Sequence, residues 1–178
     1  FQNDPMVVRS PGRINMIGEH TDYNEGFVMP AAIDKKIVCA INSNKTNSCT
    51  LIASDLDETH RFDLDNLEKS DKGWPNYILG VVEQFQKKGL KIHGFDCVFG
   101  GDIPLGAGLS SSAAVECAMA FALNELHGYG LSKIELVKLS QAAENQFVGV
   151  NCGIMDQFAS VHGKADQIFR LDCKTLEC

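Results

Sequence analysis

The sequence predicts a single domain in which strands and helices share one core. Three observations predict it. Apolar runs bounded by turn residues mark strands at 6–9, 33–41, 50–53 and 95–99. Apolar residues at helical spacing mark helices opening near Pro75, Ser110 and Ser132. No repeat, linker or low-complexity stretch divides the 178 residues, a length that supports one sizeable core.

Composition narrows the function before any motif is considered. Hydrophobic residues at 44% and charged residues at 22% are those of a soluble globular chain. A net charge of -7 disfavours nucleic acid or an anionic membrane as the main partner, since both reward basic surfaces. No apolar stretch is long enough to span a bilayer, and the N-terminus has no signal-peptide pattern. The seven cysteines form no C-x-x-C pair and lie mostly in apolar runs, the usage of a reducing cytosol, so the expected location is cytoplasmic. The chain starts at Phe1 and stops at Cys178 just after a strand-like run, and reads as a cut piece.

In chain order, the strand at 6–9 is expected to break at Pro11-Gly12. Arg13, Glu19, His20 and Asp22 then fall within ten residues, among glycines at 12, 18 and 26. A solvated loop is the ordinary reading of such a cluster. Interleaved Ile14, Met16, Ile17 and Tyr23 would instead pin the segment to a core and aim its polar groups. Carboxylates and an imidazole held together suit the hydroxyls of a sugar or polyol, whereas the Glu-His-x-Asp spacing matches no metal signature. The strands at 33–41 and 50–53 are joined by turn residues at 42–47, and 61–64 is a further strand. The acidic stretches at 55–58 and 63–72 read as solvated loops. Pro75 then opens a helix with Ile78, Val81, Val82 and Phe85 on one face, and Gly89 ends it. Trp74 and Tyr77 at its start read as core or hinge aromatics able to present a ring to a purine.

The centre of the chain is an apolar run at 95–99 followed by Gly100-Gly101-Asp102-Ile103-Pro104-Leu105-Gly106-Ala107-Gly108-Leu109-Ser110-Ser111-Ser112-Ala113-Ala114. Strand, glycine-rich loop and serine-capped helix gather unpaired backbone N–H groups and a positive helix end around one point, which favours an anion. Gly106 and Gly108 allow close backbone approach, and the serines can cap the helix or ligate magnesium. No lysine is present for a Walker loop, and Ser111 stands where a dinucleotide fingerprint needs glycine. The stretch reads as a polyphosphate cradle of another kind. Beyond it, Ser132 and Glu135 form a capping box for a helix running to about Phe147, on which Glu144 reads as an exposed glutamate. Gly149 breaks that helix. Asp156 then lies in a largely apolar turn, either as a helix cap or as a carboxylate poised to act as a base, and 167–171 reads as a last strand.

Three segments together carry a resemblance. Residues 11–23 (Pro-Gly-Arg-Ile-Asn-Met-Ile-Gly-Glu-His-Thr-Asp-Tyr), 104–113 and 152–157 (Cys-Gly-Ile-Met-Asp-Gln) resemble the GHMP small-molecule kinases, in the family's order and over almost the whole chain. The first segment is similar to the signature of the family's galactose kinases. The resemblance implies an α+β fold, a mixed sheet with packed helices related to a ribosomal-protein domain. It implies ATP-dependent phosphorylation of the anomeric hydroxyl of galactose. Asp156 would be the base, or the group that orients the hydroxyl. Arg13 would sit between that carboxylate and the transferring phosphate, favouring the ionised carboxylate and offsetting transition-state charge.

The same resemblance has Glu19, His20, Asp22 and the Gly153 backbone holding the sugar's other hydroxyls. Pro104, Leu105, Gly106, Ala107, Gly108, Leu109, Ser110, Ser111, Ser112 and Ala113 would cradle ATP, with Trp74 and Tyr77 near the adenine. Ser112 and Glu144 match the family's Mg²⁺ ligands, which revises the exposed reading of Glu144. Residues 1–178 would then be the family's N-terminal domain, with the C-terminal domain absent. The expected partners are galactose, Mg-ATP and that missing domain. Alone, the piece is expected to fold incompletely and not to turn over substrate. Two alternatives stand beside this reading: a kinase for N-acetylgalactosamine or arabinose, and a non-catalytic galactose- and ATP-sensing regulator.

Overall fold

The computed structural model describes residues 4–104 and 106–178; Leu105, one of the residues expected to cradle ATP, lies outside them. A five-stranded mixed sheet has the order β1 (Met6–Asn15), β3 (Pro30–Ser43), β6 (Phe95–Gly101), β4 (Ser48–Ala53), β5 (Glu58–Asp63). All its pairings are antiparallel except β4 with β6. A separate two-stranded ribbon joins β2 (Phe27–Val28) to β7 (Leu171–Asp172). The helices are α1 (Pro75–Lys87), α2 (Ser111–His127), α3 (Lys133–Ala142) and α4 (Met155–His162). This is the α+β class that the resemblance implied.

The helix α2 organises the core. Its apolar residues wrap almost the whole circumference, as expected of a helix covered on every side. It packs on β1 and β3 and is flanked by α1, α3 and α4. Phe85 of α1, Phe95 of β6 and Leu123 of α2 are fully buried in the common core. Pro75 occupies the first turn of α1, where its missing N–H costs nothing. Gly128 closes α2 in the left-handed region at φ 66°, and the Ser132–Glu135 capping box opens α3 as expected.

Four expectations are corrected by the structure. The first strand does not stop at Pro11-Gly12; it runs on to Asn15 through a bulge between Pro11 and Arg13. A Cβ on Gly12 would meet the Leu109 carbonyl oxygen at 2.6 Å, so this bulge is where the glycine-rich loop crosses the strand. The helix expected to reach Phe147 changes register, and Ala143–Val148 form a wider π turn before Gly149 ends it at φ 92°. The last strand is confined to Leu171–Asp172, so the expected run at 167–171 overlaps it by one residue. Glu144, read from the residues alone as exposed, is buried. No helix among the described residues is long and apolar enough to cross a membrane.

Candidate active site

The bulge in β1 determines where Arg13 points. Its backbone N–H donates to the Leu109 carbonyl at 3.1 Å, and Nη1 donates to the Gly108 carbonyl at 2.6 Å. The rest of the guanidinium meets Asp156 as a fork: Nε to Oδ1 at 2.7 Å and Nη2 to Oδ2 at 2.8 Å. Two parallel charge-assisted bonds fix both the distance and the plane of that carboxylate. The pair is only 14% and 25% exposed, so solvent screens it weakly. Ser110 adds a third constraint, its hydroxyl donating to Asp156 Oδ2 at 2.6 Å.

That last bond changes the reading of the serines. Ser110 precedes α2 with φ 61°, a left-handed backbone that costs a non-glycine residue about 1 kcal/mol. Its side chain makes no capping bond to the helix, because the hydroxyl is committed to Asp156. The leading N–H groups of α2 are thus left for another acceptor. Gly106 and Gly108 sit at φ 72° and 69°, and an added Cβ at either would meet open space. The loop is therefore shaped by backbone conformation rather than by packing.

Beside the loop lies a cavity of about 290 Å³, walled by Trp74, Tyr77, Phe99 and Val115 with Ser111 and Ser112 at one side. Trp74 is held there by its indole N–H donating to Glu58 Oε2 at 2.9 Å and by the Phe99 ring, centroid to centroid 5.6 Å. An apolar slot opening on a helix N-terminus can take a flat ring with an anionic tail.

On the other flank, Asp22 is buried and its Oδ1 accepts from the backbone N–H groups of Ile154 at 2.9 Å and Met155 at 3.1 Å. It therefore caps α4 from 132 residues away, while the Asp156 carboxylate is turned to Arg13 and Ser110. Burial pushes the Asp22 carboxyl above its ordinary value, and the two N–H bonds partly offset this. Gly153 passes so close that a Cβ there would lie 2.0 Å from Asp22 Cγ. Asp22, Gly153, Cys152 and Cys173 line a second cavity of about 430 Å³. Desolvation raises the Cys173 thiol to about 12. Glu19 and His20 stand exposed on the preceding loop, where the His20 ring bonds Tyr23 at 2.6 Å. The structure thus brings Arg13, Asp22, Gly153, Asp156 and Ser110 together but leaves Glu19 and His20 at the margin.

Glu144 lies on the π turn, where α1 approaches so closely that a Cβ on Gly80 would be 3.0 Å from the Ala143 carbonyl. Its Oε2 accepts from Gln157 Nε2 at 2.7 Å, and the same nitrogen lies 3.2 Å from Oε2 of Glu116. Glu116 is fully buried, its carboxyl lies well above the ordinary value because of that burial, and its Oε1 has no hydrogen-bond partner among the described residues. The Glu116 and Glu144 charges also raise the Tyr77 hydroxyl, after burial. Sequence reasoning missed Glu116 and Gln157. A glutamate inside the apolar face Val115–Ala120 was the available signal, since an unpaired carboxylate is costly there.

Among the described residues there is no group of three or more His, Cys, Asp or Glu side chains fit to hold a metal. Ser112 and Glu144 are hard oxygen donors. Mg²⁺ needs few from a protein when phosphate oxygens and water complete its shell, so the donor chemistry fits that ion.

Comparisons with known proteins agree with this fold. Residues 76–164 match the family described as GHMP kinases N terminal domain, and residues 1–43 match the galactokinase galactose-binding signature. The chain is 48% identical over 172 residues to a galactokinase of Thermosipho africanus, covering 97% of this chain and 47% of that protein. It is 46% identical to one from Roseiflexus sp., covering 96% and 44%. The structure of Lactococcus lactis galactokinase complexed with galactose superposes with a TM-score of 0.92 at 39% identity, over 99% of this chain and 47% of that one. Methanococcus jannaschii mevalonate kinase, at 19% identity and a TM-score of 0.81, shares the fold. The chain spans about half the length of the relatives it matches.

Proposed function

The chain belongs to the GHMP kinases, whose N-terminal domain residues 76–164 match, and on that premise we propose that it is the N-terminal half of a galactose kinase. The proposed reaction transfers the γ-phosphate of ATP to the anomeric hydroxyl of galactose. The observation that carries the reading is the Arg13–Asp156 fork, pinned by Ser110 against the glycine-rich loop and flanked by the segment that matches the galactose-binding signature.

Phosphoryl transfer asks little covalent chemistry of a protein; it asks for positioning and for compensation of charge. In this reading the adenine lies against Trp74 and Tyr77, and the phosphates lie along residues 104–113 over the start of α2. Asp156 accepts the hydrogen bond of the attacking hydroxyl and orients it. Arg13, shared between Asp156 and the loop carbonyl, offsets the charge that develops on the transferring group. Asp22 and the Gly153 backbone line the sugar side, with Glu19 and His20 closing over it from the exposed loop. Ser112 and Glu144 would hold Mg²⁺, which supplies charge neutralisation on the phosphates when bound. A second domain, outside these residues, completes the cleft.

The test is ADP release by the protein carrying its C-terminal half, measured with Mg-ATP and galactose, N-acetylgalactosamine, glucose or arabinose. Release strongest with galactose, and lost in Asp156→Asn, is the expected result. Turnover of another sugar would keep the mechanism and move the specificity. Binding of galactose and ATP without release would refute the enzyme reading.

A further inference from the structure

Gln157 is fully buried where α2, the π turn and α4 meet, and its single amide nitrogen faces two carboxylates. A primary amide carries two N–H donors, so one side chain can serve both Glu144 and Glu116. Its neighbour on α4, Asp156, points elsewhere, to Arg13 and Ser110. Successive side chains on a helix diverge by about 100°, so the first turn of α4 addresses the two groups separately. The cap from Asp22 fixes that same turn. Glu144 itself sits on a π turn, a rare local widening of the helix that is often found at functional sites.

We infer that Gln157 is a positioning residue for the divalent cation: by holding Oε2 of Glu144 it fixes the direction of the carboxylate. It thereby ties the metal's place to the helix that carries Asp156. The inference rests on the reading of Ser112 and Glu144 as metal donors. Groups that orient a metal ligand typically change metal affinity about 10–100-fold when removed.

The experiment uses the full-length protein with Mn²⁺ as a paramagnetic probe and a non-hydrolysable ATP analogue. Free and bound Mn²⁺ are separated by electron paramagnetic resonance, and galactose and metal-free nucleotide binding are measured by calorimetry. Gln157→Met keeps the length and removes the donors. Gln157→Asn keeps the amide but withdraws it by one carbon–carbon bond, about 1.5 Å. Both variants are expected to weaken Mn²⁺ at least about tenfold, with galactose and metal-free nucleotide affinities within about twofold of wild type. If Gln157→Met does not fold, Gln157→Asn decides. Unchanged Mn²⁺ affinity in a folded variant overturns the inference, as does a parallel loss of all three ligands, which would mark a merely structural role. Wild-type protein that binds no Mn²⁺ with the analogue would instead overturn the metal-donor reading, and the inference with it.

Discussion

Replacing Gly153 by alanine should loosen the joint between the sugar-side loop and α4. The backbone at Gly153 is outside the left-handed region, so alanine brings no conformational penalty of its own. The damage is steric. The new methyl would sit 2.0 Å from Asp22 Cγ and within 2.3 Å of both its oxygens, far inside contact distance. The carboxylate must move, and it then loses its bonds to Ile154 and Met155 N–H. Bonds to a charged group contribute about 1.5–3 kcal/mol each. Burial already disfavours the charged Asp22, so a displaced carboxylate regains hydration and the net loss shrinks to about 2–3 kcal/mol.

With a urea m-value of about 2 kcal/mol/M, the unfolding midpoint should fall by about 1–1.5 M. A double-mutant cycle isolates the cause. In an Asp22→Ala background there is no carboxylate to displace, so Gly153→Ala should cost less than about 0.5 kcal/mol. Equal costs in the two backgrounds would show that the methyl acts on something other than Asp22, and the steric argument would fail.

Other perturbations follow from the same site. Ser110→Ala removes the 2.6 Å bond to Asp156 and should lower kcat about tenfold with little change in the KM for galactose; an unchanged kcat would mean that the hydroxyl does not steer Asp156. Glu116 has a folded pKa raised above 4.5, so its contribution is complete below that value and is lost as pH rises through the raised one. Glu116→Gln should therefore flatten the fall in metal-free stability as pH rises above 4.5, and urea midpoints that stay parallel to wild type would contradict this. Trp74 is the chain's single tryptophan and lines the proposed nucleotide cavity, so ATP should change its emission; a silent signal at saturating ATP would place the adenine elsewhere.

Much of the secondary structure was legible because it is written in short-range terms. The capping box at Ser132 and Glu135, proline in the first turn of α1 and Gly89 just past its end each act within a few residues, and each lies where the pattern predicted. Boundaries failed where a distant partner intervened. The strand through Pro11 continues because β3 pairs with it on both sides of the bulge. The run at 167–171 lacks such a partner until Leu171 meets Val28.

The sequence by itself determined the three segments and their order, which suffice to mark the glycine-rich loop, Arg13 and Asp156 as a set. Their joint geometry is a tertiary fact. Arg13 and Asp156 are 143 residues apart, and only the bulge in β1 and the capping of α4 by Asp22 turn them into a fork. Burial, too, was decided by packing. Glu144 reads as a surface residue in its helix, yet α1 closes over it through Gly80, and Glu116 and Gln157 complete a polar cluster whose one local sign is a glutamate within the apolar run of α2. Propensity and spacing act along the chain, whereas desolvation and hydrogen-bond partnership depend on what folds against it from afar.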